Sequence, residues 1–361
     1  MERLKLGDIC KIVSGGTPKT NIKEYWDGDK KWITPAELND NSYIITDSVR
    51  KLTEFGVLKT GLTPFLEGTV ILSSRAPIGK VAIAGCEMYC NQGFKNFICT
   101  DKIYNKYLYW FLRSKTAYLN SLGRGATFKE ISKQIVSDIE IDVPELSEQR
   151  QIVARLEKIA EIAELRKNEI HEIDNLIKSR FVEMFGGIHD STLYPYATIE
   201  SFTSVMSGGT PDRGIPEYWQ EGNIRWVKTT ELQNCVITDT EEKITQLGMD
   251  NSSTKLIPAD SVLIAMYGQG KTRGMTGYIA VECATNQACA CILPSKTINQ
   301  KYLWQYMILS YDKLRDMAKG GNQPNLNTGI IKKYPVLMPP IALQEWFATF
   351  VQSVDKLKSA A

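Results

Sequence analysis

The side chains that could do chemistry in this 361-residue chain lie in two glycine-bearing loops. One is Ser73-Ser74-Arg75-Ala76-Pro77-Ile78-Gly79-Lys80. The other is Ala265-Met266-Tyr267-Gly268-Gln269-Gly270-Lys271-Thr272, followed by Arg273. Lys and Arg bind backbone phosphates or guanine edges, and Gln and Asn pair with adenine. Either loop alone reads as a solvated hairpin; it is their duplication, with side chains that differ on a retained scaffold, that points to paired recognition surfaces. The second loop also fits a relaxed phosphate-loop pattern, with Ala in place of the first Gly. A true phosphate loop opens a helix whose N-terminus holds the phosphates. Here Gly274, Gly277 and a strand-like run from Tyr278 follow instead, so ATP binding is not expected. The aligned first loop fails the pattern as well.

Other chemistries find less support. The two histidines, His171 and His189, fall between the candidate domains, which leaves histidine triads, three-histidine zinc sites and HExxH proteases without residues. The sets Cys86, Cys90, Cys99 and Cys283, Cys289, Cys291 lack paired CxxC spacing and a fourth ligand, so small buried hydrophobes are the expected role and no metal site is expected. No Asn/Asp-Pro-Pro-Tyr/Phe methylation tetrapeptide and no paired acidic nuclease motif stands out. No stretch approaches the ~18 apolar residues of a membrane span. The opening MERLKLGDIC lacks a signal-peptide core, so a cytoplasmic chain with reduced thiols and no membrane contact is expected. The net charge of +2 neither demands nor excludes nucleic acid.

What positions the loops is a duplication. Ser14-Gly15-Gly16-Thr17-Pro18 recurs 193 residues later as Ser207-Gly208-Gly209-Thr210-Pro211, and Tyr25-Trp26 as Tyr218-Trp219. Trp32 matches Trp226, Glu37-Leu38 matches Glu231-Leu232, Asn91-Gln92 matches Asn286-Gln287, and Tyr107-Leu108 matches Tyr302-Leu303. The cysteines do not repeat. Two homologous domains are expected, over 1–145 and 190–338. A central helical spacer (146–189) and a distal helix (339–361) follow them. Ile152, Leu156, Ile159, Ala163, Ile170, Ile173, Ile177 and Met184 space a long amphipathic helix from Ser147 to about Phe185, stopped by Gly186-Gly187. At ~1.5 Å per residue it runs ~60 Å. Leu343, Phe347, Phe350, Val351, Val354 and Leu357 mark a second helix to about Lys358, and Gln149 matches Gln344. Short strands are expected at Val70–Leu72, Lys80–Ala84, Phe94–Cys99, Val262–Met266, Tyr278–Val281 and Ala288–Leu293. Helices are expected over Tyr104–Leu122 and Ile298–Met317. The fold class is α+β.

Around this scaffold the candidate DNA-binding residues are Thr17, Lys19, Ser74, Arg75, Lys80, Asn91, Gln92, Arg124, Thr127 and Lys129 in the first repeat. In the second they are Thr210, Arg213, Tyr267, Gln269, Lys271, Thr272, Arg273, Asn286, Gln287, Asn322, Gln323 and Asn325. The Ser-Gly-Gly-Thr-Pro turns could be purely architectural, with glycines permitting the turn. The tryptophans read most simply as core. The Asn-Gln pairs fit base contacts and loop ties equally well. Gly123–Lys129 and its partner Lys319–Asn325 are polar loops that could present donors to DNA.

The ordered set resembles the specificity subunit of type I restriction-modification systems over nearly the whole chain. It comprises Leu6-Gly7-Asp8, the twin turns, Tyr-Trp with Trp-Ile/Val and Glu-Leu, Pro144-Glu145-Leu146-Ser147-Glu148-Gln149-Arg150-Gln151-Ile152, and Pro339-Pro340 with Gln344. The resemblance implies two target recognition domains, each reading half of a split, asymmetric DNA site, and two helices pairing antiparallel as a spacer. It implies partners: two modification subunits that bind S-adenosylmethionine, and restriction subunits that use ATP and Mg. The chain itself would hold no cofactor and catalyse nothing. On this reading Arg75, Lys80, Arg124 and Lys129 serve the first half-site, and Gln269, Lys271, Arg273, Asn322 and Gln323 the second. The distal helix is shorter than the family pattern, so part of the central apolar stripe is expected to lack its partner, through truncation or cover by another chain. Competing readings are a stand-alone sequence-specific regulator, a phosphate-loop ATPase, one part of a fused methyltransferase-nuclease, or a protein–protein adaptor.

Overall fold

The computed structural model describes residues 2–75, 77–125, 129–268, 270–318 and 325–360. It divides into two compact units, Met1–Leu165 and Arg166–Ala361.

In the first unit the chain runs β1 (Glu2–Lys5), α1 (Leu6–Ile9), β2 (Cys10–Val13), β3 (Trp26–Ile33), β4 (Ile44–Ile45), β5 (Arg50–Leu52), α2 (Glu54–Thr60), β6 (Val70–Ser73), β7 (Val81–Ala84), β8 (Tyr89–Cys90) and β9 (Phe94–Cys99). Then come α3 (Asn105–Ser114), α4 (Thr116–Leu122), α5 (Lys133–Ser137), β10 (Glu140–Val143) and the start of a 40-residue helix, α6 (Leu146–Phe185). A five-stranded sheet of order β2-β9-β6-β7-β4 lies with a three-stranded sheet, β5-β3-β8, and the pair β1-β10. β6 and β7 are buried along their whole length. Their alternate side chains enter different cores: Val70, Leu72, Val81 and Ile83 join Leu108, Tyr109 and Leu112 of α3, whereas Ile71, Ala82 and Ala84 join Ile33, Phe65 and Phe94. Two apolar faces on a period of two read as continuous runs, which is why these strands are legible as Val-Ile-Leu and Val-Ala-Ile-Ala.

The second unit repeats this plan. Its elements are β11 (Tyr196–Thr198), α7 (Ile199–Phe202), β12 (Val205–Ser207), β13 (Ile224–Val227), β14 (Cys235–Ile237), β15 (Glu242–Ile244), α8 (Gln246–Asp250), β16 (Leu256–Ile257), β17 (Val262–Ala265), β18 (Thr276–Ile279), β19 (Cys283–Thr285) and β20 (Cys289–Ile292). They are followed by α9 (Gln300–Leu309), α10 (Tyr311–Asp316), α11 (Thr328–Lys332), β21 (Pro335–Leu337) and α12 (Ile341–Ala360). The sheet β12-β20-β17-β18-β14 reproduces the first five-stranded order strand for strand. The smaller sheet, β15-β13-β19-β16, adds one strand. Even the parallel pairings recur, β4 with β7 as β14 with β18, and β3 with β8 as β13 with β19.

Two expected helices differ. The 104–122 and 298–317 segments each break, at Lys115 (φ −102°, ψ 12°) and at Ser310 (φ −90°, ψ 6°). Neither break carries Gly or Pro. Hydroxyls compete there for backbone carbonyls, Thr116 Oγ1 donating to Arg113 O (3.0 Å) and Ser310 Oγ to Tyr306 O (2.7 Å).

The central helix ends where the sequence places its stop. Gly186 is left-handed (φ +79°) and its N–H bonds Val182 O. Within the second unit α12 packs antiparallel to the last turns of α6. Lys358 pairs with Asp174 at one end (2.6 Å), while at the other Phe347 meets Phe181 and Phe185 at 5.5 and 5.6 Å between ring centroids. Gln149 and Gln344 anchor the starts of the two helices, each buried. Gln149 accepts from Tyr104 N and donates to Pro144 O; Gln344 accepts from Asn299 N and donates to Pro339 O. In the first unit's stretch of α6, Ile159, Ile162 and Leu165 are exposed.

Candidate nucleic-acid interface

The repeated Ser-Gly-Gly-Thr-Pro turns are built by the same bonds in both units. Trp32 Nε1 donates to Gly16 O (3.0 Å) and Trp26 Nε1 to Lys19 O (3.2 Å). Trp226 and Trp219 do the same to Gly209 O (3.0 Å) and Asp212 O (3.1 Å). Each tryptophan pair meets edge to face at 5.0 Å. Trp26, Trp32 and Trp226 are core aromatics, as the sequence suggests, and Trp219 is half-buried; in all four the indole N–H holds the turn. Gly16 N–H bonds Cys90 O and Gly209 N–H bonds Thr285 O. None of the four glycines is left-handed. Gly15 and Gly208 are glycine because a Cβ would stand 1.9 Å from Cys90 O and Thr285 O. Close approach of backbone, not a special φ, is the requirement.

The other repeated residues complete this clamp. Thr17 Oγ1 donates to Gln92 Oε1 (2.5 Å), and Thr210 likewise to Gln287. Asn91 and Asn286 turn their side-chain oxygens onto Gly93 N and Ala288 N. Glu37 accepts from Thr34 N and Val49 N; Glu231 accepts from Lys228 N and Glu241 N. The matching Glu-Leu thus fastens the chain on either side of each 3-10 turn.

The candidate loops stand where expected: Ser74–Lys80 joins β6 to β7, and Met266–Met275 joins β17 to β18. No helix opens at Lys271-Thr272; turns lead into β18. At Ser74 the structure corrects the expectation of a surface donor. The residue is fully buried, its N–H on Gly93 O, its carbonyl on Ile131 N and its hydroxyl on Lys95 Nζ (3.3 Å), because the sheet closes over it. The Lys80 ammonium bonds Leu38 O. Lys19, Arg124, Lys129, Tyr267 and Lys271 are exposed, while Thr272, Arg273 and Asn325 are half-buried. Lys271 O and Arg273 O are held by Tyr311 OH (2.7 Å) and Arg315 (2.9 Å). Thr127, Gln269, Asn322 and Gln323 lie outside the described residues.

Glu130 organises the first unit's loops, and no motif in the sequence marks it. Its backbone pairs with Arg124 in both directions, and its carboxylate takes Arg75 Nε (2.9 Å) and Lys95 Nζ (3.2 Å). Lys95 is only 7% exposed at its side chain. Burial works against ionisation of Glu130, but the hydrogen bonds from Arg75 and Lys95 outweigh it and hold the carboxyl below its usual range. Among the described residues the second unit has no such cluster. Ala290 pairs with Ile264 where Lys95 pairs with Leu72. Asn325 precedes Leu326, whose N–H bonds Met266 O as Ile131 N–H bonds Ser74 O. The two loops therefore rest on one scaffold with different charge beneath them.

The thiols are spread through the cores. Cys90 lies against Asn96, whereas Cys86 accepts from Lys31. Among the described residues no three His, Cys, Asp or Glu side chains are grouped to hold a metal ion, and no helix is long and apolar enough to cross a membrane.

Comparison with known proteins agrees with the duplication. The type I restriction modification DNA specificity domain matches residues 1–175 and again 196–360. The type I restriction enzyme MjaIX specificity subunit of Methanocaldococcus jannaschii is 30% identical over 96% of this chain and 85% of its own length. The fold is shared with the crystal structure of a type I restriction-modification S subunit from M. genitalium, at TM-score 0.55 and 14% identity over 99% of this chain and 90% of that one. A structure from work on complex assembly and conformational transition of the type I R-M system gives TM-score 0.56 at 15% identity, over 99% and 91%. With both halves matched and the same fold built twice, the chain belongs to the type I restriction-modification DNA specificity family.

Proposed function

We propose that this chain is the DNA-recognition subunit of a type I restriction-modification complex and reads a split, asymmetric duplex site, one half through each domain. One observation carries the reading. A twice-built scaffold, held by matching bonds at its turns, presents loops with different charge beneath them, Arg75, Lys95 and Glu130 on one side and Ala290 and Asn325 on the other. Equal frames with unequal loops suit the reading of two different short sequences. Arg124, Lys129 and Arg75 serve the first half-site and Tyr267 and Lys271 the second. Partners are double-stranded DNA, two modification subunits carrying S-adenosylmethionine, and restriction subunits using ATP and Mg²⁺. The chain supplies recognition and no catalytic step.

The test is single-molecule sequencing of adenine methylation in cells expressing this chain with its modification subunit, against cells lacking this chain. A new motif of two short half-sites around a fixed gap is expected. A soluble complex that methylates no new motif overturns the proposal.

A further inference from the structure

Both tryptophan pairs carry a guanidinium, but it comes from non-equivalent places in the sequence. In the first domain Arg50 of β5 sits 3.4 Å from the Trp26 ring centroid and 5.7 Å from that of Trp32. In the second, Arg213 of the loop after the turn sits 3.9 Å from Trp219 and 5.0 Å from Trp226. The strand registers fix the correspondence: Arg50 lies opposite Trp32, and Glu242 lies opposite Trp226. Where the first domain has Arg50, the second has a carboxylate. That carboxylate binds Arg213 at 2.7 Å and draws it across the indole. The cation on the tryptophans is thus kept while its source changes.

Its charge balance is not kept. In the second domain the cations around this hairpin are paired with carboxylates: Arg213 with Glu242, Arg225 and Lys243 with Asp239, and Lys228 with Glu241. In the first domain Lys30 pairs with Glu54 and Lys51 with Asp47. The Arg50 guanidinium makes no hydrogen bond or ion pair to any described residue. Arg50 is exposed, and stacking on an indole uses none of its five N–H donors. An arginine held in place by a ring, with its donors free, is preorganised for bidentate contact with a phosphate.

We infer that Arg50 is a DNA-backbone phosphate contact of the first domain, and that Glu242 has silenced the equivalent contact in the second by neutralising Arg213. This rests on the proposed DNA-recognition function. It deepens that reading by assigning an affinity role to a residue outside the candidate loops, and to one domain only.

The experiment measures binding of the full chain to a fluorescent 40-base-pair duplex of random sequence as NaCl is varied. Non-specific binding of this kind is dominated by phosphate neutralisation, and removing one phosphate-binding cation lowers the slope of log K against log salt by about 0.9. R50Q is expected to flatten the slope by about that amount, R50K to keep it, and R213Q to leave it unchanged. E242Q, which frees Arg213, is expected to steepen it. A slope unaltered in both R50Q and E242Q overturns the inference, and a fall in thermal midpoint alone makes Arg50 a clamp on the turn. A wild-type chain that binds no duplex at any salt removes the recognition function itself, an outcome distinct from equal slopes.

Discussion

The glycines of the twin turns give the sharpest test of the scaffold, because four similar-looking positions have unequal surroundings. A Cβ on Gly15 would stand 1.9 Å from Cys90 O and 2.5 Å from its carbonyl carbon; on Gly208 it would stand 1.9 Å from Thr285 O. These neighbours are backbone in β8 and at the end of β19, so the turn itself must retreat by about 1 Å or more. Retreat strains or breaks the N–H bonds of Gly16 to Cys90 O and Gly209 to Thr285 O (both 2.9 Å), and loosens the indole bonds behind them. Overpacking costs about 1–3 kcal/mol, and a buried polar group left unsatisfied about 1–3 more. G15A and G208A should each lose about 3–5 kcal/mol, a large share of a typical domain's 5–15. The second glycines separate the copies. At Gly16 a Cβ meets only the end of Leu62, at 3.0 Å, so G16A should cost under about 1 kcal/mol. At Gly209 it meets Ser253 Oγ at 2.3 Å and Thr254 N at 2.6 Å, so G209A should cost several. Because the chain divides into two compact units, a local readout in each is needed, and hydrogen exchange read by mass spectrometry on peptides from 1–145 and 190–338 is the suitable assay. G15A should deprotect only the first set, and G208A and G209A only the second. Equal behaviour of G16A and G209A, or a neutral G208A, would refute the close-approach argument.

Three further outcomes are expected. Glu130 is held below its ordinary value of 4.5, so its stabilising contribution is complete above that pH and is lost as pH falls further. E130Q should therefore cost about 1–3 kcal/mol at pH 7, the low end for a pair whose carboxylate is partly exposed. Urea titrations of E130Q and wild type should converge toward pH 3; a gap unchanged with pH would deny the carboxylate this role. F347A removes a fully buried ring packed on Phe181, Phe185 and Tyr302, and should cost about 3–5 kcal/mol in thermal unfolding. A neutral F347A would mean that α12 does not pack on α6. Burial pushes the thiols of Cys90 to about 11 and of Cys283 and Cys291 to about 12. Iodoacetamide at pH 8 on the native chain should then spare these three and label the partly exposed Cys86 and Cys235, as mass mapping would show. Early labelling of Cys291 would contradict a sealed core.

The sequence by itself determined the duplication, the elements that repeat and the end of the central helix. These depend on local rules. Apolar residues on both faces of a strand show as runs such as Val70-Ile71-Leu72, a helical stripe shows at spacings of three and four, and Gly186 marks a stop. Matches such as Trp32 with Trp226 and Gln149 with Gln344 could be found by offset alone. What these residues do could not. An indole N–H aimed at a carbonyl sixteen residues away in sequence, Trp32 to Gly16, is visible only once β3 and the turn lie side by side. The helix breaks at Lys115 and Ser310 carry no Gly or Pro, because single hydroxyl-to-carbonyl bonds make them. Ser74 reads as a surface donor until the sheet closes over it. Lys95 and Glu130 are 35 residues apart, and nothing in their types marks them as partners. Arg50 and Arg213 occupy one place on a tryptophan from different positions in the repeat, so offset matching misses them. Local patterning is written in spacing along the chain. Charge pairing, close approach and burial are decided by which segments the fold brings together, and only the tertiary structure contains that.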